Sequence, residues 1–341
     1  MGIKNKKEWY DRRSRRIADK PNKKRKYKKS NSNVIEKKEY EQIGTVVNEY
    51  KAPAPTVFSF WYNTEKTAEM FNGIIKEIEK GVFQKRFFID SSKVEKATTD
   101  VLVYLIAIMR NMKYNNIKKH TFAGNLPTNE QAKRVFEESG LYKYVQTKCS
   151  KLPNNTEKMQ IVSGKNTDTV LASEICRFVM EKFSVDHVYT QFLYKTIIEL
   201  MSNAVHHAYH DKEEIMWPCW YLYAEYIGAS IRFIFIDTGL GIATTVKKKM
   251  IERLTSNDAK LLESAFKGEF RTETKQANRG LGLPALREYA LNNKFSEFFV
   301  LSGNGGYKYK REIKGFEKYI YKNKIYGTIY IFEMMKMEDR S

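Results

Sequence analysis

The chain has 341 residues, 42% of them hydrophobic and 13% aromatic, with a formal net charge of +20, which excludes a wholly disordered protein and allows two domains of ordinary size. Its three cysteines, Cys149, Cys176 and Cys219, are odd in number and too far apart for a CxxC site, which argues against a disulfide scaffold and favours a reducing cytoplasm. No apolar run reaches the roughly 18 residues of a membrane span, and no apolar N-terminal segment indicates a secretory signal.

The positive charge is concentrated in an N-terminal tail, residues 1–45. Residues 1–30 alone hold 14 Lys and Arg against 3 Asp and Glu, a net charge of +11. The stretch KPNKKRKYKKS has no apolar periodicity, so the sequence predicts that the tail is disordered. Two interpretations remain open. The tail either binds nucleic-acid phosphates or is a solvated arm that keeps the protein in solution.

Residues 50–147 alternate between strand-like and helix-like segments. The expected order is a strand at 57–62, a helix at 67–81, a strand at 86–90, a helix at 101–112, a strand at 120–124 and a further helix. Thr128 is the expected N-cap of that last helix, and Gly140 is its expected C′ residue. This alternation predicts an α/β layer fold.

A polar segment at 148–167 is the predicted linker to a second domain, residues 168–337. The elements expected in this second domain are helices near 168–184 and 188–210, a strand at 231–239, a polar stretch at 243–279, a helix after the glycines of RGLGLPALREYALNN, and strands at 298–303 and 327–334.

The stretch ELMSNAVHHAYH, which begins at Glu199, carries the first candidate site. On a helix, Glu199, Asn203 and either His206 or His207 share one face. A carboxylate can accept a proton from water, and a carboxamide oxygen suits a hard cation such as Mg²⁺. The same pattern is typical of an amphipathic helix whose polar side faces solvent. A transition-metal site at His206 and His210 is not favoured, because the HExxH signature and a third ligand are missing.

Two glycine turns are the other candidate sites. IDTGLGI places Asp237 at the end of an apolar strand, before Gly239 and Gly241, where a fixed acceptor can read an exocyclic amine and the backbone can approach a flat ligand. NRGLGLPAL places Gly280 and Gly282 before a helix, where backbone N–H groups form an anion site suited to phosphate. Each turn alone is also typical of an ordinary loop, and the second is neither a Walker A loop nor a Rossmann motif.

The order of these motifs is more specific than any one of them. Glu-x-x-x-Asn on a helix is followed by a strand running into DxGxGI, a polar stretch, GLGL before a helix, and a strand that begins at Gly327-Thr328. This set resembles the GHKL ATPase superfamily of gyrase B-type topoisomerases, heat-shock chaperones, histidine kinases and MutL mismatch-repair proteins. The resemblance covers residues 168–335, and ELMSNAVHHAY is most similar to the anti-sigma-factor kinases.

The resemblance implies a GHKL (Bergerat) α/β sandwich that binds ATP and Mg²⁺. Asn203 would hold Mg²⁺, Glu199 would orient or deprotonate the attacking nucleophile, and Asp237 would accept a hydrogen bond from the adenine amine. The further implied contacts are Thr328 supporting Asp237, Gly239 and Gly241 shaping the adenine pocket, and Gly280, Leu281, Gly282 and Leu283 wrapping the phosphates, with Arg279 near the terminal one.

The resemblance also assigns the polar stretch and the histidines. Residues 243–279 would form the ATP lid, in which Lys267, Arg271 and Lys275 offer further cations. His207 matches a position common in the anti-sigma branch, where it packs the helix or lies on the phosphate side. His206 and His210 receive no role.

The N-terminal half resembles a STAS domain, the fold of anti-sigma-factor antagonists. The resemblance rests on RFFIDSSKVEKATTDVLVYLIAIMRN and FAGNLPTNEQAKRVFEESGLYKYV. Asp100 stands where such domains carry a phosphorylatable serine, and the adjacent Thr99 either substitutes for that serine or is a helix cap. Loss of the serine argues against a phosphorylation switch and favours a docking or dimerisation role. The expected whole is a two-domain α/β protein, a STAS-like layer followed by the GHKL sandwich.

Three functions are compatible with these patterns. The first is a cytoplasmic regulator that hydrolyses ATP, or is switched by it, to control a protein partner or a second copy of itself. The second is a protein serine/threonine kinase of the anti-sigma type that uses Glu199 on a protein hydroxyl. The third is a nucleic-acid-associated ATPase of a bacterial defence system, with the basic tail as the contact. We expect no membrane partner.

Overall fold

The computed structural model describes residues 48–80, 85–110, 121–145, 156–207, 219–249, 257–269 and 282–336. All of them belong to one compact unit, Val47–Ser341. The basic tail predicted at residues 1–45 lies outside the described residues.

The described chain forms strands and helices that we number in chain order. The strands are β1 (Glu49–Pro53), β2 (Val57–Phe58), β3 (Arg86–Asp90), β4 (Lys96–Ala97), β5 (Thr121–Gly124), β6 (Val162–Gly164), β7 (Trp220–Ile227), β8 (Ser230–Asp237), β9 (Glu297–Lys310) and β10 (Gly315–Met335). The helices are α1 (Thr64–Glu79), α2 (Thr99–Arg110), α3 (Glu130–Glu138), α4 (Thr169–Phe183), α5 (His187–His207), α6 (Ile242–Lys249), α7 (Asp258–Lys267) and α8 (Gly282–Leu291).

These strands build two main sheets, so the mixed α/β class is confirmed. A three-stranded parallel sheet has the order β1-β3-β5. A five-stranded antiparallel sheet has the order β6-β7-β8-β10-β9. The short strands β2 and β4 form a separate parallel pair.

Helices α1 and α2 form a layer between the two sheets. Helix α1 contacts β1 on one side and β10 on the other, and α2 contacts β7 and β8. The sequence VLVYLIAI of α2 is buried all round. A helix that is hydrophobic on every side needs apolar partners on every side, and a place between two sheets provides them.

The other face of the five-stranded sheet is covered by α4, α5, α7 and α8. Side chains along β8 alternate between the two cores: Ile234 and Ile236 join the cluster with α2, while Phe233 and Phe235 join the cluster with α4 and α5. Because successive side chains point to opposite faces and both faces are buried, the strand reads as one continuous apolar run.

Several boundaries differ from the predictions for local reasons. The strand expected at 57–62 ends at Phe58, because the backbone N–H groups of Phe60 and Trp61 bind the side chain of Asp100 and not another strand. The N-cap of α3 is Asn129, not Thr128, and its Oδ1 accepts from the N–H of Ala132 at 3.0 Å. Gly140, with φ of 85°, follows α3 in the left-handed conformation, as expected.

The segment expected to be a linker contributes to the sheet. Residues Val162–Gly164 form its edge strand β6, and Lys158 makes a bridge with Glu225 of β7. The two segments predicted as separate domains share one hydrophobic cluster, which runs from Ala52 to Ile331. Their division into a STAS-like and a GHKL domain stays a prediction.

The described helices include none that is long and apolar enough to cross a membrane.

Candidate functional site

The site is centred on Asp237, the last residue of β8. Its cross-strand partners are Trp220 on β7 and Thr328 on β10, so the carboxyl group lies between two neighbouring strands. Asp237 is 9% exposed and Thr328 is fully buried. The carboxylate Oδ1 accepts from the N–H of Gly239 at 3.0 Å. Asp237 therefore lies at the start of the glycine turn that follows β8, as the sequence predicts.

Two glycines with positive φ let the turn after β8 pack closely against the backbone before Thr328. Gly327 has φ of 75°, and a Cβ there would lie 1.9 Å from the carbonyl oxygen of Asp237. Gly241 has φ of 78°, and a Cβ there would lie 2.7 Å from the carbonyl oxygen of Gly327 and from Oγ of Ser302. Only glycine fits both the conformation and the space at these two positions.

The carboxyl group of Asp237 titrates far from its usual range. Burial raises the pKa of Asp237 to about 6, while hydrogen bonds from the Gly239 backbone and from Thr328 oppose this increase. A buried carboxyl group with a raised pKa is characteristic of binding and catalytic sites, because desolvation leaves it an unusually strong acceptor for a matching donor.

The raised pKa gives a pH-dependent stability. The folded state binds the Asp237 proton more tightly than the unfolded state does. Protonation of Asp237 therefore stabilises the fold fully below about pH 4, and this contribution is lost as the pH rises through about 6. The displacement of the pKa corresponds to roughly 3 kcal/mol. We expect Asp237→Asn, which is neutral at every pH, to be more stable than the wild type at pH 7.5 by about that amount and to lose this advantage at pH 4. Urea denaturation at both pH values measures the difference, and an equal difference at the two values would contradict the assignment.

Helix α5 brings a second pair of polar groups to the same face of the sheet. Glu199 and Asn203 lie one turn apart on α5, and both are half-buried. Burial raises the pKa of the Glu199 carboxyl group, and a hydrogen bond from the Asn203 side chain opposes this. A carboxyl group with a raised pKa is better matched to accepting a proton near neutral pH than an exposed one.

The start of α8 lies against Glu199. A Cβ on Gly282 would lie 1.9 Å from Cδ and Oε1 of Glu199, so only a glycine allows this approach without moving the carboxylate. The next residue, Leu283, packs its side chain against an apolar cluster formed by α6 and α7. The Glu199 side chain is therefore in contact with Gly282, the first residue of α8.

A buried tyrosine feels the charges of both carboxyl groups. Tyr330 on β10 lies on the same face of the sheet as Thr328, two residues along the strand. Burial holds the pKa of the Tyr330 hydroxyl group well above its usual value, and the charges of Asp237 and Glu199 raise it further. Both carboxyl groups therefore act electrostatically on one side chain of β10.

Part of the predicted site lies outside the described residues. This holds for Arg279, Gly280, Leu281, Arg271, Lys275 and His210, and for the side chains of His206 and His207 at the end of α5. Lys267 ends α7 in an ion pair with Glu263, with Nζ 3.0 Å from Oε1. Helix α7 itself packs on β9, where Oδ2 of Asp258 accepts from the N–H of Asn304 at 3.0 Å. The described part of the predicted lid is therefore anchored to the sheet.

Sequence reasoning missed two residues of the site, Ser302 and Tyr330. Ser302 is fully buried on β9 and its hydroxyl group donates to the carbonyl oxygen of Gly327 at 3.4 Å. In the sequence it is a lone serine at the end of the apolar run FFVL. Its place in the site becomes visible only from the pairing of β9 with β10. Tyr330 gave no signal, since it is one of several aromatic residues in a buried strand.

The residues singled out in the N-terminal half are both buried. Thr99 is 2% exposed and its hydroxyl group donates to Oε2 of Glu225 on β7 at 3.2 Å, and Asp100 is 1% exposed. Neither side chain is open to an enzyme that would modify it. Thr99 thereby holds α2 against β7, whereas Asp100 accepts from the N–H groups of Phe60 and Trp61 in the turn before α1.

The arrangement offers a buried acceptor, Asp237, beside a glycine turn. On the same face of the sheet it offers a carboxyl group, Glu199, with an amide partner and a helix start beside it. Across the described ranges there is no group of three or more His, Cys, Asp or Glu residues placed to hold a metal ion. No protein-family model matches the chain, and no curated protein matches it at a significant level.

Proposed function

We propose that this chain is an ATP-binding regulator that holds Mg²⁺·ATP between β8, α5 and α8, and hydrolyses it or uses it as a conformational switch to control a partner. The observation that carries the proposal is Asp237, a buried carboxylate at a strand end that accepts from the backbone of Gly239, on the face of the sheet that α5 covers with the Glu199–Asn203 pair. This combination of groups matches the needs of a nucleotide with a flat base at one end and phosphates at the other.

The base end is supported by Asp237 and its glycine surroundings. An ionised carboxylate accepts hydrogen bonds and donates none, so it favours the 6-amino group of adenine over the carbonyl oxygen that guanine carries at the same position. Gly241 and Gly327 let the backbone next to Asp237 pack closely without side chains. In this proposal, adenine is preferred to guanine because of Asp237.

The phosphate end is supported by Asn203, Glu199 and Gly282. The N–H groups of Gly282 and Leu283 in the first turn of α8 have no partner within the helix, which favours negative charge there. Magnesium in nucleotide sites takes one or two protein oxygens together with phosphates and water, and the Asn203 amide oxygen fits that requirement. Bound Mg²⁺ would neutralise phosphate charge, while Glu199 would accept a proton from the attacking water or hydroxyl group.

Two substitutions test the binding site. We expect Asp237→Asn to weaken ATP binding about 10- to 100-fold and to remove the preference over GTP, because a charge-assisted hydrogen bond to the base is lost. We expect Asn203→Ala to remove the dependence of ATP affinity on Mg²⁺. Calorimetric titrations with and without Mg²⁺ measure both effects. Gln191→Ala, an exposed change on the same helix, is the control. Unchanged affinities for Mg²⁺·ATP in both variants would overturn the proposal.

The fate of the terminal phosphate separates hydrolysis from a kinase reaction. Incubation with γ-labelled ATP yields free phosphate if water is the acceptor and labelled protein if a serine or threonine hydroxyl group is. Binding of ATP with neither product, in the presence of the protein's partner, would identify a switch that does not turn over.

A further inference from the structure

A large cavity lies in the N-terminal half, away from the candidate nucleotide site. Its volume is about 640 Å³. It lies at the carboxyl ends of β3 and β5, beside α2 and the turn at Leu141–Lys143. Most of its wall is apolar, formed by Ile89, Leu105, Met109, Phe122, Phe136 and Leu141.

The cavity opens to the surface on one side, since Thr121, Gly124 and Asn125 of its lining are exposed. Its inner wall is formed by Ile89, Leu105, Phe136 and Leu141, which belong to the buried cluster that unites the two sheets. Volumes of about 300–1,000 Å³ with apolar walls and a few polar groups are typical of small-molecule sites.

One buried polar group in the wall lacks a partner. Ser91 follows β3, is 1% exposed and lines the cavity, and no hydrogen-bond partner for its Oγ is found in the described part of the chain. The neighbouring Asn125 is already engaged, since its Oδ1 accepts from the N–H of Ser91 at 2.6 Å and its Nδ2 donates to Asp90 at 2.8 Å. An unmade buried hydrogen bond is unfavourable, and a ligand oxygen at Ser91 would satisfy it.

Helix α2 connects this cavity with the candidate nucleotide site. Leu105 and Met109 of α2 line the cavity. The adjacent Tyr104 is fully buried, and its hydroxyl group accepts from the N–H of Tyr326 at 2.8 Å and donates to the carbonyl oxygen of Tyr326 at 3.2 Å. Tyr326 is followed directly by Gly327 and Thr328, the partners of Asp237. A shift of α2 would therefore act on the backbone that positions Asp237.

We propose that the cavity is a binding site for a neutral, mainly apolar small molecule with one hydroxyl or carbonyl oxygen, and that its occupancy changes ATP affinity through α2. The apolar walls take the body of the ligand, and Ser91 binds its oxygen. The coupling to ATP rests on the proposed function, whereas the binding of the ligand does not.

A matched pair of probes, p-cresol and toluene, tests the binding site, because the two differ only in one hydroxyl group. We expect saturation-transfer NMR to detect both with the full-length protein. Ser91→Ala should weaken p-cresol binding about fivefold, the effect of one net hydrogen bond, and change toluene binding less than twofold. Met109→Trp, which fills the cavity from α2, should abolish both signals while circular dichroism shows a folded protein.

Three results would overturn the binding site: no transfer to either probe, equal p-cresol affinity in Ser91→Ala, or full binding of both probes to folded Met109→Trp. If Met109→Trp does not fold, the Ser91→Ala comparison decides alone.

The coupling is measured by titrating ATP with and without saturating p-cresol. We expect the ATP affinity to change at least fivefold, the lower end of measured couplings between sites. Tyr104→Phe should bind each ligand alone but show less than half of the coupling in free energy. Equal ATP affinity with and without p-cresol would overturn the coupling. Absence of ATP binding in both titrations would overturn the proposed function instead, and leave the probe result standing.

Discussion

Replacement of Glu199 by Gln is expected to lower the rate of phosphate release or transfer by a factor of about 10²–10⁴, the usual cost of a lost general base. The affinity for ATP should change only a few-fold, since the amide keeps the size of the side chain and its place beside Gly282. The reason is electronic. Burial raises the pKa of the carboxyl group, which makes it a better proton acceptor, and an amide cannot accept a proton.

A matched variant separates this effect from a general loss of carboxylate. Glu181→Gln makes the same change at an exposed position of α4 and should leave the rate unchanged. Rates are measured under single-turnover conditions, so that binding and chemistry are resolved. An equal loss of ATP affinity and of rate in Glu199→Gln would point to a structural role for this residue.

Replacement of Asp100 by Ala is expected to lower the free energy of unfolding by about 3 kcal/mol. The carboxylate accepts from the N–H groups of Phe60 and Trp61, both at 3.1 Å, and from the N–H of Val101 at 2.8 Å. It is 1% exposed, so no water can replace it easily. Each buried donor left without an acceptor costs about 1–3 kcal/mol. The alanine variant no longer has to desolvate a carboxyl group, but this gain offsets only part of that cost.

Urea denaturation measures this loss, with Asp186→Ala as the control. Asp186 precedes α5, and its Oδ1 accepts from the N–H of Tyr189 at 3.1 Å at an exposed position. Loss of an exposed helix cap of this kind costs about 1 kcal/mol. Equal losses in the two variants would show that the contacts of Asp100 with the turn before α1 carry no extra energy.

The elements that the sequence predicts best are those with a single clear periodicity. Strand β3 matches the apolar run RFFID residue for residue, and α2 follows its long apolar stretch within two residues. Helix α7 was hidden in the Lys- and Glu-rich stretch at 243–279, although Leu261, Leu262 and Ala265 have helical spacing. Its polar composition resembles a loop, and only packing on β9 reveals its buried side.

The site was predictable where the motif itself supplies the geometry. Asp237 and Gly239 interact within one turn, and Glu199 and Asn203 are one helical turn apart, so their proximity is local. Ser302 was not predictable, because its contact with Gly327 depends on the pairing of β9 with β10. The placement of α2 between the two sheets was equally unpredictable, because a hydrophobic sequence indicates that a helix is buried but does not indicate which elements cover it.

The position of α2 also limits how the sequence of this chain can change. Residues such as Tyr104 and Leu105 are adjacent, yet one contacts β10 and the other lines the cavity beside β5. A larger side chain on either face must be accommodated by a compensating change in one sheet, and a shift of the helix to relieve it would disturb the other sheet. Substitutions in α2 are therefore expected to occur together with compensating substitutions in the segments before and after residues 148–167, because these segments share one core.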